Sequence, residues 1–160
     1  MDMQIPNVYS LAELVALIDR SPEQWRPLVF SNGCFDLLHV GHVRYLAAAK
    51  ALGKTLVVGL NSDRSVQTLK GIDRPIIPEL QRAEVLAALK SVDAVVIFSQ
   101  PTAINLIESI EPDIYVKGGD YQVETLPEAP AVLAYGGKIE LIQIEVPSST
   151  TKIVQQIKNL

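Results

Sequence analysis

Two rhythms alternate along the chain. Short continuous apolar runs fall at Pro27–Phe30, Thr55–Leu60, Ala94–Phe98, Ile114–Val116 and Ile139–Ile144. Such runs suit parallel strands covered on both faces. Between them, apolar positions recur at helical spacing over Val43–Leu52, Arg64–Leu69, Glu79–Lys90, Thr102–Ile110, Pro127–Tyr135 and Ser149–Lys158. The punctuation agrees. Gly53 and Gly136-Gly137 follow helices, Asn61-Ser62-Asp63 caps one, and Pro78 starts another. Ahead of the first run, Ser10 and Glu13 form a capping box for a helix carrying Leu11, Leu14, Val15, Leu17 and Ile18. That helix ends near Ser21-Pro22 and reads as a packing arm, with Met1–Pro6 frayed. Strands alternating with helices predict an α/β fold: a Rossmann-like, doubly wound, mostly parallel five-stranded sheet with helices on both faces. Ligands of such sheets lie beyond the carboxyl ends of the strands.

The length of 160 residues fits one domain, with residues 1–26 as its N-terminal helical arm and 27–158 as its core. Charged residues make up 20% and the net charge is -4. With no basic tract, the chain does not read as a nucleic-acid binder, although a small anionic ligand needs only local positive charge. A lone Cys34 permits no internal disulfide. There is no secretory signal pattern, and no apolar run approaches the ~20 residues of a membrane span. Together these place the chain in the cytoplasm.

The chemistry concentrates in Ser31–His42, where the first strand turns into a helix. The chain's two histidines, His39 and His42, sit three residues apart and face the same way from a helical turn. As ordinary residues they would pack or cap the helix. As a zinc pair they would need further ligands, which only carboxylates could supply. As phosphate donors they would combine with the free N–H groups and positive end of the helix to form an anion cup. Gly33 allows a tight backbone turn, and Gly41 leaves room for a ligand against the helix. Asp36 suits a helix cap or loop carboxylate, and Cys34 a small buried residue. Lys70 and Arg74 lie in a polar loop, while Arg82 reads as an exposed arginine at a helix start. Lys117-Gly118-Gly119-Asp120-Tyr121 is a turn at a strand's carboxyl end, without P-loop spacing. Ser148-Ser149-Thr150-Thr151 offers more hydroxyls than a helix cap needs, and so a second anion site.

Gly33, Phe35, Asp36, His39, Gly41 and His42 resemble, without a gap, the G-x-F-D-x-x-H-x-G-H signature of the nucleotidyltransferase superfamily that includes the cytidylyltransferases. The resemblance implies His39, His42 and Lys70 as catalytic groups. It implies nucleotide contacts at Asn32, Gly33, Cys34, Phe35, Asp36, Gly41, Arg82, Lys117, Gly118, Asp120, Ser149, Thr150 and Thr151. Mg2+ is implied as cofactor, with Asp36 helping to organise it. Two departures stand out. Pro147 replaces a glycine of the family's hydroxyl motif, and no arginine occurs in Ile144–Pro147. The second points away from members that use CTP with glycerol phosphate. Over residues 27–158 the chain is most similar to the adenylyltransferases of ADP-heptose synthesis, through Asn61-Ser62-Asp63, Leu69-Lys70-Gly71, Arg74-Pro75, Val116–Tyr121 and Ser149–Thr151. That likeness implies ATP and a sugar 1-phosphate as substrates. It also implies a separate sugar kinase to supply the acceptor, and a homo-oligomer such as a dimer.

Overall fold

A computed structural model describes residues 4–143 and 149–160. Six strands form one sheet in the order β1 (Val8–Tyr9), β4 (Ala94–Phe98), β3 (Thr55–Asn61), β2 (Leu28–Gly33), β5 (Ile114–Gly118) and β6 (Lys138–Ile142), with every pair parallel. The order runs outward from β2 in both directions, so the chain reverses its winding between β4 and β5. That switch leaves a crevice at the carboxyl ends of β2 and β5.

The continuous apolar run of β3 is buried along its whole length, as a central strand flanked on both sides should be. One face of the sheet packs Phe30 and Tyr115 against α1 (Leu11–Arg20), α6 (Ile104–Ile110) and α7 (Ala129–Ala134), through Leu14, Leu106, Ile107 and Val132. The other packs Val29 and Leu60 against α3 (Val40–Lys50) and α5 (Glu79–Ala87), through Leu46, Ala49, Ala83 and Leu86. The short helices α2 (Pro22–Trp25) and α4 (Asp63–Lys70) connect elements, and α8 (Thr150–Lys158) closes the chain.

The sheet has six strands where the apolar runs predict five. The extra one lies in the N-terminal arm, where Val8 and Tyr9 pair with Val95 and Val96. Two residues are too few to show strand periodicity, and only the docking of α1 brings them to the edge of the sheet. The arm is thus part of the core, with Leu14 fully buried. β2 also runs further than its apolar run. Asn32 and Gly33 are still in register with Gly59 and Leu60, which carries the strand's polar end into the crevice. Gly33 therefore makes no tight turn. Its missing side chain leaves room for the Phe35 ring, whose Cε2 would lie 3.0 Å from an added Cβ. The left-handed residue of this loop is Phe35 itself, at φ 44°. α5 ends at Ala87 rather than Lys90, and β6 is described to Ile142.

Candidate active site

His39 is the N-cap of α3, and its Nδ1 accepts from the Gly41 N–H at 3.1 Å. Three residues on, His42 Nδ1 accepts from the His39 N–H at 3.3 Å. A ring nitrogen that accepts carries no proton, so both neutral imidazoles hold theirs on Nε2. The two rings lie 4.0 Å apart between centroids, with Phe35 packed 5.4 Å from His42. Burial pushes His42 down to about 4, helped by the charges of His39 and Lys70. Burial lowers His39 as well. At neutral pH the pair consists of two uncharged donors of fixed tautomer, and positive charge must come from elsewhere.

Both histidines line a cleft of about 820 Å³ together with Asn32, Gly33, Cys34, Asp36, Gly41 and Lys70. Lys70 ends α4 and is exposed, followed by Gly71 at φ 101°. Burial raises the Cys34 thiol, and the surrounding cations Lys70, Arg82 and Lys117 only partly oppose this. Cys34 is therefore a neutral wall residue rather than a nucleophile.

At the wall of the cleft, Asp36 and Arg74 begin a second layer that runs back from the histidines. The Asp36 side chain is 1% exposed and pairs with Arg74 Nε at 2.7 Å. Its oxygens also accept from the Ile76 and Ile77 N–H groups at 2.9 and 3.0 Å. Burial raises the Asp36 carboxyl, but the Ile77 and Ile76 N–H groups and Arg74 outweigh it and hold it below the usual range. Asp36 is thus a clamp joining the histidine loop to the segment before α5. An ion would have to displace these donors, so the residue does not fit the magnesium role. Among the described residues, no group of three or more His, Cys, Asp or Glu could hold a metal ion.

Arg82 is 2% exposed, not a surface arginine, and does not line the cleft. Its guanidinium donates to the carbonyls of Ile77, Cys34 and Asn61 at 2.8, 2.6 and 2.9 Å, and to Asp63 Oδ1 at 2.8 Å. It ties the end of β3 and the start of α5 to the histidine loop from behind, so a direct nucleotide contact does not fit its position.

The opposite end of the cleft is built on β5. Gly118 lies under Tyr45, where a Cβ would come 2.8 Å from Cε2. The Tyr45 hydroxyl shares a 2.6 Å hydrogen bond with Ser31 Oγ and donates to the Val116 carbonyl at 3.1 Å. Lys117 Nζ stands 5.6 Å from the Tyr121 ring centre. Burial lowers its pKa, against the pull of Glu128 and Cys34. Asp120 is exposed and outside the cleft lining, so it too sits apart from the expected nucleotide contacts.

Ser149, Thr150 and Thr151 reach the cleft at the start of α8. Ser149 Oγ caps the helix by accepting from Lys152 N–H, and Thr150 donates to the Leu37 carbonyl at 3.1 Å, which fastens α8 to the histidine loop. Ser148 and Pro147 lie outside the described residues. Sequence reasoning passed over Tyr45, Asn61, Thr102 and Glu128, which also line the cleft. Tyr45 looks like one more apolar helix residue, and Glu128 like a surface charge at a helix start. Only the packing turns them inward.

A parallel sheet with phosphate-donor groups at its switch point defines a nucleotide-handling α/β domain. The cytidylyltransferase-like family model matches residues 30–156, and the chain belongs to that family. It is 49% identical to the bifunctional protein HldE of Geotalea uraniireducens over 157 residues, covering 98% of this chain and 31% of that protein. It is 53% identical to the HldE of Syntrophotalea carbinolica over 132 residues, covering 82% and 27%. The chain thus spans about a third of the length of these relatives. Among solved structures, a lipopolysaccharide core biosynthesis protein from Thermoplasma volcanium aligns with a TM-score of 0.60 and 29% identity, over 75% of this chain and 97% of that one. A protein from Archaeoglobus fulgidus shares the fold at a TM-score of 0.52 and 19% identity, over 74% and 99%.

Proposed function

We propose that the protein transfers AMP from ATP to a sugar 1-phosphate, D-glycero-β-D-manno-heptose 1-phosphate, giving ADP-heptose and pyrophosphate. The observation that carries this reading is the His39–His42 pair with both Nε2–H donors fixed, beside Lys70 in a cleft at the sheet's switch point. The high identity to HldE proteins, of which the chain spans less than a third, and the likeness to a lipopolysaccharide core biosynthesis protein support the sugar-phosphate assignment. It fits a division of labour in which a sugar kinase makes the acceptor and this chain activates it. An ATP-consuming step of that kind belongs in the cytoplasm.

In this reading the acceptor phosphate attacks the α-phosphorus in line, and pyrophosphate leaves. A phosphate monoester has its second pKa near ~6, so the nucleophile is already largely dianionic at neutral pH and no general base is needed. The obstacle is bringing two anions together. The imidazole Nε2–H groups would donate to the α-phosphate oxygens, where charge grows in the transition state. Neutral imidazoles do this without proton transfer. Lys70 and Lys117 would supply the positive charge, and the hydroxyls at the start of α8 would hold the phosphate tail. Magnesium would arrive bound to the triphosphate, as that ion usually does, and no step here runs through a protein-held metal.

The test is pyrophosphate release from ATP, CTP, GTP and UTP against a panel of sugar 1-phosphates and alcohol phosphates. ATP with the heptose 1-phosphate should give the highest kcat/KM. Faster transfer from CTP to glycerol phosphate would overturn the substrate assignment.

A further inference from the structure

Glu128 is a carboxylate out of place. It is 4% exposed, yet it lines a cleft suited to phosphates. Among the described residues it accepts from the Ala103 N–H at a long 3.4 Å, and the Tyr115 hydroxyl stands within hydrogen-bonding reach of it. A carboxylate offers about four acceptor sites, and burying one with so little satisfied is costly. Its remaining capacity faces the cleft. A phosphate cannot use it, because like charges repel. Its ligand must carry hydrogen-bond donors, and with the Lys117 cation already close to Glu128 a neutral donor suffices.

The surroundings narrow the choice. The Tyr115 hydroxyl donates to Asn32 Oδ1 at 2.8 Å, which leaves the Asn32 amide nitrogen as a donor at the end of β2. Burial, and then the nearby Glu128 charge, push the Tyr115 phenol far above its ordinary pKa, so it stays a neutral donor. A carboxylate acceptor next to an amide donor matches hydroxyl groups, which both give and take hydrogen bonds. The two faces of the sheet also contribute separate groups to the cleft. The histidines on α3, tied to α8 through Thr150 and Leu37, belong with Phe35 and Leu46 on one face. Glu128 stands between Leu126 and Ala129, which pack with Phe30 and Tyr115 on the other. We propose that Glu128 and Asn32 form a hydroxyl-reading subsite for the sugar ring of the acceptor, across the cleft from the groups that hold the triphosphate.

This inference rests on the transfer reading above, and one set of assays separates the two. Glu128→Ala should raise the KM for the sugar 1-phosphate roughly 10–100-fold, the loss expected for hydrogen bonds to a charged group. The KM for ATP should stay within about twofold. Glu128→Gln keeps an oxygen for the Ala103 N–H and should lose less. Independently of any variant, the wild type should discriminate against acceptors lacking a single ring hydroxyl. At least one such deoxy acceptor should lose that penalty in Glu128→Ala. If the wild type turns over none of the sugar 1-phosphates, both readings fall. Wild-type turnover with an unchanged acceptor KM in Glu128→Ala, or a raised ATP KM instead, would overturn this inference alone.

Discussion

Replacing Arg82 by alanine should destabilise the fold and leave nucleotide binding largely in place. The guanidinium donates four hydrogen bonds, to the Ile77, Cys34 and Asn61 carbonyls and to Asp63. Alanine would strand three carbonyl acceptors, each at a cost of about 1–1.5 kcal/mol on the low side of the usual penalty. Asp63 is 37% exposed at its side chain and can turn to water, so it adds little. The total is about 3–5 kcal/mol, nearly all of it from the stranded carbonyls. For a domain of this size that lowers Tm by about 6–20 °C. Urea unfolding followed by circular dichroism should show a lower midpoint with an unchanged slope. Arg82→Lys keeps the charge but loses the planar fork, and should recover only part of the loss. Nucleotide KM, measured well below the variant's melting point, should stay within a few-fold of wild type. A variant that melts within about 2 °C of wild type, yet binds nucleotide far more weakly, would refute the reasoning and make Arg82 a ligand contact after all.

His39→Ala and His42→Ala should each lower kcat by about 10²–10³-fold with a much smaller change in nucleotide KM, as for loss of one transition-state donor; wild-type turnover would leave the pair a structural cap. Long-range ¹H–¹⁵N spectra should show both rings protonated at Nε2 near pH 7, with the His42 midpoint near about 4. Because that folded value lies below the ordinary imidazole value of 6.5, His42 contributes stability that is fully present above about 6.5 and lost as pH falls toward about 4. A His42 midpoint near 6.5 would contradict its burial. Lys70→Ala should cut kcat/KM strongly and Lys70→Arg restore it only in part, since the two cations differ in shape and hydration; normal transfer by Lys70→Ala would pass the role to Arg74.

The alternation of apolar runs and helical patterns made the doubly wound sheet legible, because parallel strands buried on both faces need continuous apolar sequence. The edge strand Val8–Tyr9 was not legible. Two residues carry no period, and their pairing with Val95 and Val96 depends on where α1 docks. The signature Gly33–His42 falls in the wall of the cleft, since a motif records which residues gather in one loop. It does not record which way each side chain turns. Asp36 belongs to the signature as firmly as His42 does, yet its oxygens are taken up by Arg74 and backbone N–H groups, and Arg82 turns away from the cleft into carbonyls. Glu128 presents the opposite case. As a charge at the start of a helix it reads as solvated, and it points inward only because Leu126 and Ala129 on either side are drawn into the core.

The backward-facing layer has a physical reason to exist. A site that works by aiming neutral donors at phosphate oxygens depends on position, since a donor that must reorganise as charge develops contributes less. The histidine loop includes a left-handed Phe35, a conformation that costs about 1–2 kcal/mol and persists only if its surroundings hold it. Three clamps converge on that loop: Arg74 through Asp36, Arg82 through the Cys34 carbonyl, and Thr150 through the Leu37 carbonyl. Each comes from a different element, and each fastens the loop to a segment that also bounds the cleft. The charged side chains of Asp36, Arg74 and Arg82 are therefore used to hold the loop still, and the exposed cation Lys70 and the half-buried Lys117 are left on the cleft wall, free in the proposed reaction to meet the substrates.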